Sequence, residues 1–270
     1  MFRKVVFYLV LTLILFVTLF PLYWVVTTSL KTLRDAFAMP PVWLFSPTLE
    51  NYSKVLTNPA FIKGFGNSLL ISVTASVLAI AVAAFAAYGI VQQAPARRTS
   101  IEGFVLSLRI APAILFVIPT YYLSMRLGLL NSHGLLIAIY AFINIPFAIS
   151  LLVTFFEEVP NEMREAGLMD GASELRVFWH IVLPVVRGGL VATFILCVLF
   201  TWNEFFIALV LSGRNTQTLP VTITSFLTFQ GIEWGALTAA AALIMLPMII
   251  LGMLVQGTVV RGMAAGSVKG

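Results

Sequence analysis

The sequence predicts an all-α membrane protein, a bundle of six helices that each cross a lipid bilayer. Six runs of 21 to 24 residues are apolar with at most one charge apiece, and a bilayer core takes about 20 residues of helix to cross. The composition is 60% hydrophobic and 10% charged, with a mean hydropathy of +1.01, whereas soluble domains run at roughly 45–50% apolar and 25% charged. The runs are apolar on every side, unlike a membrane β-barrel, whose segments of about ten residues alternate apolar and polar. These features exclude a water-soluble enzyme and a disordered chain. A net charge of +5 with no basic run gives no footing for nucleic acid.

The first run, 6–26, follows Arg3 and Lys4. It is longer than the 7–15-residue apolar core of a signal peptide and lacks a small-residue cleavage site before Lys31, so it reads as a retained anchor. Segment 31–66 is the longest outer connection. In it Tyr52, Val55 and Leu56 recur at helical spacing before Asn58-Pro59, predicting a short helix on the membrane surface. Spans 68–91, 104–124 and 134–156 follow, and Arg109 in the third is expected to snorkel to the interface. An inner loop, 157–187, precedes the fifth span, 188–211, which carries Glu204; an outer loop, 212–235, precedes the sixth, 236–258. Pro21, Pro112, Pro119, Pro146 and Pro247 fall inside these runs and predict kinks. The whole of 1–270 reads as one transmembrane domain. With both termini cytoplasmic, the inner segments hold Arg3, Lys4, Arg97, Arg98, Arg164, Arg176, Arg187, Arg261 and Lys269, outnumbering Lys31, Arg34, Lys54, Lys63, Arg126 and Arg214 outside.

Acidic residues concentrate in the inner loop: Glu157, Glu158, Glu162, Glu165, Asp170 and Glu174. Pro160 can open a helix there, Glu162 and Glu165 suit its N-terminal turns, and Gly171 can end it in a left-handed conformation. Ser173 offers an N-cap to a second short helix running towards Leu183-Pro184. Glu165-Ala166-Gly167, Gly171, Ile181 and Leu183-Pro184 are similar, in residue type and spacing, to the EAA loop of permease subunits of bacterial ABC importers. Gly167 departs from the alanine usual there. Asp170-Gly171-Ala172-Ser173, Trp202-Asn203-Glu204-Phe205, Gly128-Leu129-Leu130-Asn131, Asn67-Ser68 and the tail 265–270 resemble carbohydrate-uptake permeases, the smaller membrane subunits of maltose-type importers. Arg187-Gly188 departs from the family, in which a proline is common after the Leu-Pro pair.

The resemblance implies a type I ABC importer transmembrane domain with a homologous second permease, two ATP-binding subunits and an extracytoplasmic sugar-binding protein. It places the chain in the bacterial inner membrane. Residues 161–170 are then the coupling helix, with Glu162, Glu165, Met169, Asp170, Gly171, Ile181, Leu183 and Pro184 in the coupling loop. Glu165 anchors it to the ATPase, and Ala166 and Gly167 permit close contact with that subunit. Arg214, Asn215, Thr216, Gln217 and Gln230 of the outer loop are implied to meet the binding protein, and the tail to reach between the ATPase subunits.

No phosphate-cradling GxxxxGK[ST] loop is present, so ATP and Mg belong to the partner subunits and this chain is read as non-catalytic, with no cofactor of its own. Cys197 in an apolar run reads as a small buried hydrophobe, and His133 and His180, placed in loops, predict no metal site. Glu204 is expected to face a cavity or a partner helix, because an ionisable group in a span costs on the order of 2–3 kcal/mol against lipid. Tyr121, Tyr122, Asn144, Thr201, Trp202 and Asn203 join it as polar or aromatic candidates for a sugar path, with interhelical bonding the alternative for Asn203 and Glu204. Rival readings are an ABC permease for glycerol 3-phosphate, polyamines or amino acids, and a secondary transporter.

Overall fold

The computed structural model describes residues 2–110, 112–228 and 231–267. In order come α1 (Phe2–Ser29), α2 (Leu33–Ala36), α3 (Glu50–Leu56), α4 (Pro59–Val91), α5 (Pro95–Ser107), α6 (Ala113–Arg126) and α7 (His133–Phe156). Then follow α8 (Asn161–Met169), α9 (Glu174–Val177), a π turn (Phe178–Val182), α10 (Leu183–Val185), α11 (Arg187–Asn203), α12 (Phe206–Leu211) and α13 (Leu219–Thr222). A 3-10 turn (Ile223–Phe226) and a two-strand hairpin, β1 (Leu227–Thr228) against β2 (Gly231–Ile232), lead into α14 (Trp234–Ser267).

Two units make up the chain. The first comprises Met1–Gly64 and Leu219–Pro247. Its α1 is exposed on all sides over residues 3–23, which suits a helix whose solvent is hydrocarbon. The end of α1 is tied down by polar groups on α3. Ser29 Oγ and Tyr52 OH lie 2.7 Å apart, and Asn51 Nδ2 donates to the carbonyls of Ser29 (3.0 Å) and Lys31 (2.9 Å). The buried Lys31 ammonium sits 5.1 Å from the Trp24 ring centre and 5.2 Å from that of Phe45, a cation–π setting that replaces part of its hydration. Lys54 pairs with Glu233 at 2.7 Å. The short helix expected near 52–56 is therefore α3, held by these bonds.

The second unit comprises Phe65–Thr218 and Met248–Gly270. Here α4 turns a stripe of small residues inward, Ser68, Ser72, Ser76, Ala75, Ala79, Ala83 and Ala87, all buried. Small side chains let helix backbones approach closely where burial from water supplies no drive. Ala83 and Ala87 pack with Leu152 and Phe156 of α7 and with Val177, Phe178 and Val182. Cys197 is buried in the same cluster. Val255 of α14 joins Ala192 and Ile195 of α11.

Among the described residues, four helical segments are long and apolar enough to cross a bilayer: Arg3–Ser29, Pro59–Val91, His133–Phe156 and Trp234–Gly257. The other two expected spans are interrupted. Run 104–124 is divided between α5 and α6 because Pro112, which lacks an N–H and disfavours helix in the residue before it, stands as the N-cap of α6. Run 188–211 breaks at Glu204, whose extended ψ of 123° ends α11 before α12 begins. Pro21, Pro119, Pro146 and Pro247 lie within helices.

Candidate functional site

Segment 157–187 builds a compact projection. Pro160 caps α8 and Gly171 ends it at φ +82°, a region that side chains with a Cβ resist. The Gly171 N–H donates to the Leu168 carbonyl (3.0 Å) and the Ala172 N–H to that of Gly167 (3.1 Å), closing the helix end. Ser173 Oγ accepts from the Arg176 N–H at the start of α9. The second helix is shorter than expected. It passes at Phe178 into the π turn, whose last bond runs from the Leu183 N–H to the Phe178 carbonyl, and Pro184 then withholds the next donor. The axis bends by 77° between Glu174–Val185 and Arg187–Asn203.

The coupling-loop residues divide by direction. Glu162, Glu165, Ala166, Met169 and Asp170 are exposed, Met169 at 88%. Gly167 faces the opposite way and is buried: a Cβ there would stand 2.5 Å from Ile181 Cδ1 and 3.1 Å from Val177 Cγ2. The implied role of Gly167 in close contact with an ATPase is thus corrected. Its missing side chain makes room for Ile181 of the same chain, and Leu183 packs into the same core.

A polar clip holds α8 to its neighbours. Glu174 accepts two bonds from the Arg164 guanidinium, the Nε one at 3.2 Å, and a third from the Tyr88 hydroxyl on α4 at 2.9 Å. Desolvation works to raise the Glu174 carboxyl, but these bonds outweigh it and hold the group below the usual glutamate range. Arg98 of α5 pairs with Glu102 at 2.9 Å and with Glu157 at the end of α7.

A second site lies within the interrupted spans. A cavity of about 190 Å³ is lined by Arg109, Tyr140, Ile143, Asn144, Phe200, Thr201, Glu204 and Ile207. Tyr140 and Asn144 are one turn apart on α7, as are Thr201 and Glu204 at the end of α11. Asn144 Nδ2 donates to Thr201 Oγ1 at 2.8 Å and the Tyr140 hydroxyl to Glu204 Oε2 at 2.7 Å. The Glu204 carboxylate also accepts the N–H groups of Ile207 (3.0 Å) and Ala208 (3.2 Å), capping α12 where an anion suits the helix dipole. Arg109, in the break between α5 and α6, lies 4.7 Å from the Phe147 ring centre and 5.8 Å from that of Phe200. The snorkelling expected of Arg109 gives way to this placement against two rings.

Of the expected path residues, Asn144, Thr201 and Glu204 therefore converge. The others do not line this cavity. Trp202 is buried edge-on to Phe65 at 5.6 Å, Asn203 bonds back to the Leu199 carbonyl (2.8 Å), and Tyr121 and Tyr122 form an edge-to-face pair on α6. Sequence reasoning missed Tyr140, although it stands four residues before Asn144. It also set Arg109 aside, although the rule that singled out Glu204, a charge inside a span, applies to it equally.

The outer loop is pinned where it leaves α12. Asn67 Nδ2 donates to the carbonyls of Asn215 (3.1 Å) and Gln217 (2.9 Å), and its Oδ1 meets His133 Nε2 at 2.8 Å. His133 thus begins α7 and does not lie in a loop. His180, also expected in a loop, sits in the π turn with Nδ1 3.1 Å from the Arg176 carbonyl oxygen. Thr216 is buried, its hydroxyl donating to Asn131 Oδ1 (3.0 Å) and accepting from the Gly213 N–H (3.1 Å). This corrects the expectation that Thr216 meets a binding protein. Arg214 and Asn215 are exposed and Gln217 half-buried; Gln230 and the last three tail residues lie outside the described residues.

A model of the family described as "Binding-protein-dependent transport system inner membrane component" matches residues 79–265. The chain belongs to that family. Among relatives, the probable ABC transporter permease protein y4oR of Sinorhizobium fredii is 38% identical over 267 residues, covering 99% of this chain and 96% of that one. The diacetylchitobiose uptake system permease protein DasC of Streptomyces coelicolor is 33% identical over 261 residues, covering 95% and 94%. A crystal structure of a bacterial ABC transporter involved in import of the acidic polysaccharide alginate contains a chain that superposes with a TM-score of 0.79 at 20% identity, covering 95% of this chain and 96% of that one. The all-α transmembrane architecture of this permease is thus that of an ABC importer membrane component.

Proposed function

We propose that this permease is one half of the membrane path of an ATP-driven, binding-protein-dependent saccharide importer. The observation that carries the reading is the outward face of α8, where Glu162, Glu165, Ala166, Met169 and Asp170 stand free while Gly167 and Ile181 lock the opposite face. An ATP-binding subunit docks on that face. Two such subunits serve this chain and a homologous second permease, and ATP and Mg are theirs. Both termini are cytoplasmic. An external binding protein delivers a sugar, a class supported by relatives such as the chitobiose permease.

The clip and the π turn supply the coupling route. When the ATP-binding subunits close, α8 moves with them, and Arg164, Glu174 and Tyr88 carry that displacement to α4 while the buried Phe178 carries it to α7. The result is rigid-body switching between outward and inward openings. The test is Glu165→Lys in the co-expressed importer. We expect uptake of the transported sugar and co-purification of the ATP-binding subunits to be lost while the chain still inserts in the membrane. Normal uptake in that variant would overturn the docking assignment.

A further inference from the structure

The cavity between the two interrupted spans combines an arginine with neutral hydrogen-bonding groups and a carboxylate that is bonded within the chain. Glu204 spends both oxygens within the chain, on Ile207, Ala208 and Tyr140, so its charge is already compensated by three donors. Thr201 Oγ1 accepts from Asn144, which leaves the Thr201 hydroxyl hydrogen and the second Asn144 amide hydrogen to give. Arg109 rests on Phe147 and Phe200. Among the described residues it has no carboxylate within ion-pair distance. A guanidinium held by ring contacts keeps its planar fork of N–H groups for a ligand and is suited to bidentate recognition of a carboxylate or similar anion.

The backbone supports the same site. Arg109, just past the end of α5, and Glu204, just past the end of α11, both line this cavity. Irregular backbone at membrane depth is tolerated where it is buried in protein or borders a water-filled space. A volume of about 190 Å³ accommodates several waters or one sugar ring, and Phe200 forms an apolar wall for the ring face.

We propose that this cavity is a transport subsite for a single sugar unit bearing a negative charge, with Arg109 reading the anion and Asn144 and Thr201 the neighbouring oxygens. The proposal rests on the importer reading and adds the charge of the cargo. The test uses the intact importer, this chain with its second permease and ATP-binding subunits, purified in detergent without binding protein. Direct binding of radiolabelled glucuronate and glucose is compared for the unaltered complex, Arg109→Gln and Arg109→Lys. We expect glucuronate to bind, glucose to bind far more weakly, R109Q to lose about tenfold or more in glucuronate affinity, as loss of a charge-assisted bond requires, and R109K, which keeps the charge but not the planar fork, to fall between the two. Equal binding of the two sugars, no binding of glucuronate, or an undiminished R109Q overturns the subsite. The sugar comparison on the unaltered complex decides the matter even if R109Q fails to assemble. ATP hydrolysis is measured on the same preparations: an assembled, ATP-hydrolysing complex that ignores glucuronate refutes the subsite alone, whereas absence of any co-purifying ATPase refutes the importer reading.

Discussion

Adding one methyl group at Gly167 would place a Cβ 2.5 Å from Ile181 Cδ1, the far end of a side chain that can rotate. Gly167→Ala gains about 1 kcal/mol of helix propensity, and an off-rotamer Ile181 costs about 0.5–1.5 kcal/mol, so that variant is expected to melt close to the unaltered importer. Combining it with Ile181→Val removes the clash and should leave a higher melting temperature than Ile181→Val alone. At Asn67 the bookkeeping is different. Removing the amide by Asn67→Ala takes away its bonds to the carbonyls of Asn215 and Gln217, each a net contribution of about 0.5–1.5 kcal/mol. Faster protease cleavage within 213–217 is the expected readout, and unchanged cleavage would show that the loop is held by other means. Because the Asn67 amide nitrogen is engaged with carbonyls, its oxygen faces His133, whose Nε2 must donate.

Among the elements, α8 is nine residues long, shorter than the roughly 12–15 that an isolated helix needs. Its order comes from Gly171, the Ile181 seat and the Glu174 clip. The Glu174 carboxyl is held below its ordinary value, so the clip is at full strength at neutral pH and is lost only as pH falls through that lowered value. Transport rates near neutrality should therefore show no inflection from this pair, while Glu174→Gln, which weakens it at every pH, should lower the sugar transported per ATP hydrolysed. The six-residue α12 depends on its cap in the same way. Glu204→Ala removes the acceptor for Ile207 and Ala208 and is expected to cost about 0.5–2 kcal/mol, with the Tyr140 hydroxyl orphaned as well. A melting temperature unchanged by Glu204→Ala would show that α12 stands without its cap.

Across the whole molecule, composition and run length were enough to place every long helix, because hydrocarbon burial acts on whole segments and leaves its mark in 20-residue averages. The loop motif was legible because each of its residues has a separate local reason: Pro160 starts a helix, Gly171 ends one, Ser173 caps the next. Averages could not register that α5 ends at Ser107 and α11 at Asn203, where one proline and one capping carboxylate override some twenty apolar neighbours. Nor could they tell that Thr216 is buried, since its partner Asn131 reaches it only through the folded chain. The Arg109 break bears on how the chain is made. An arginine within a span raises its insertion cost, by up to about 2.5–3.5 kcal/mol at the centre, and α6, with 14 residues, is too short to cross a bilayer alone. The segment between α5 and α6 must therefore await Phe147 of α7 and Phe200 of α11, both synthesised later, before its charge is sheltered. A nascent chain halted before α11 therefore lacks the Phe200 half of that shelter.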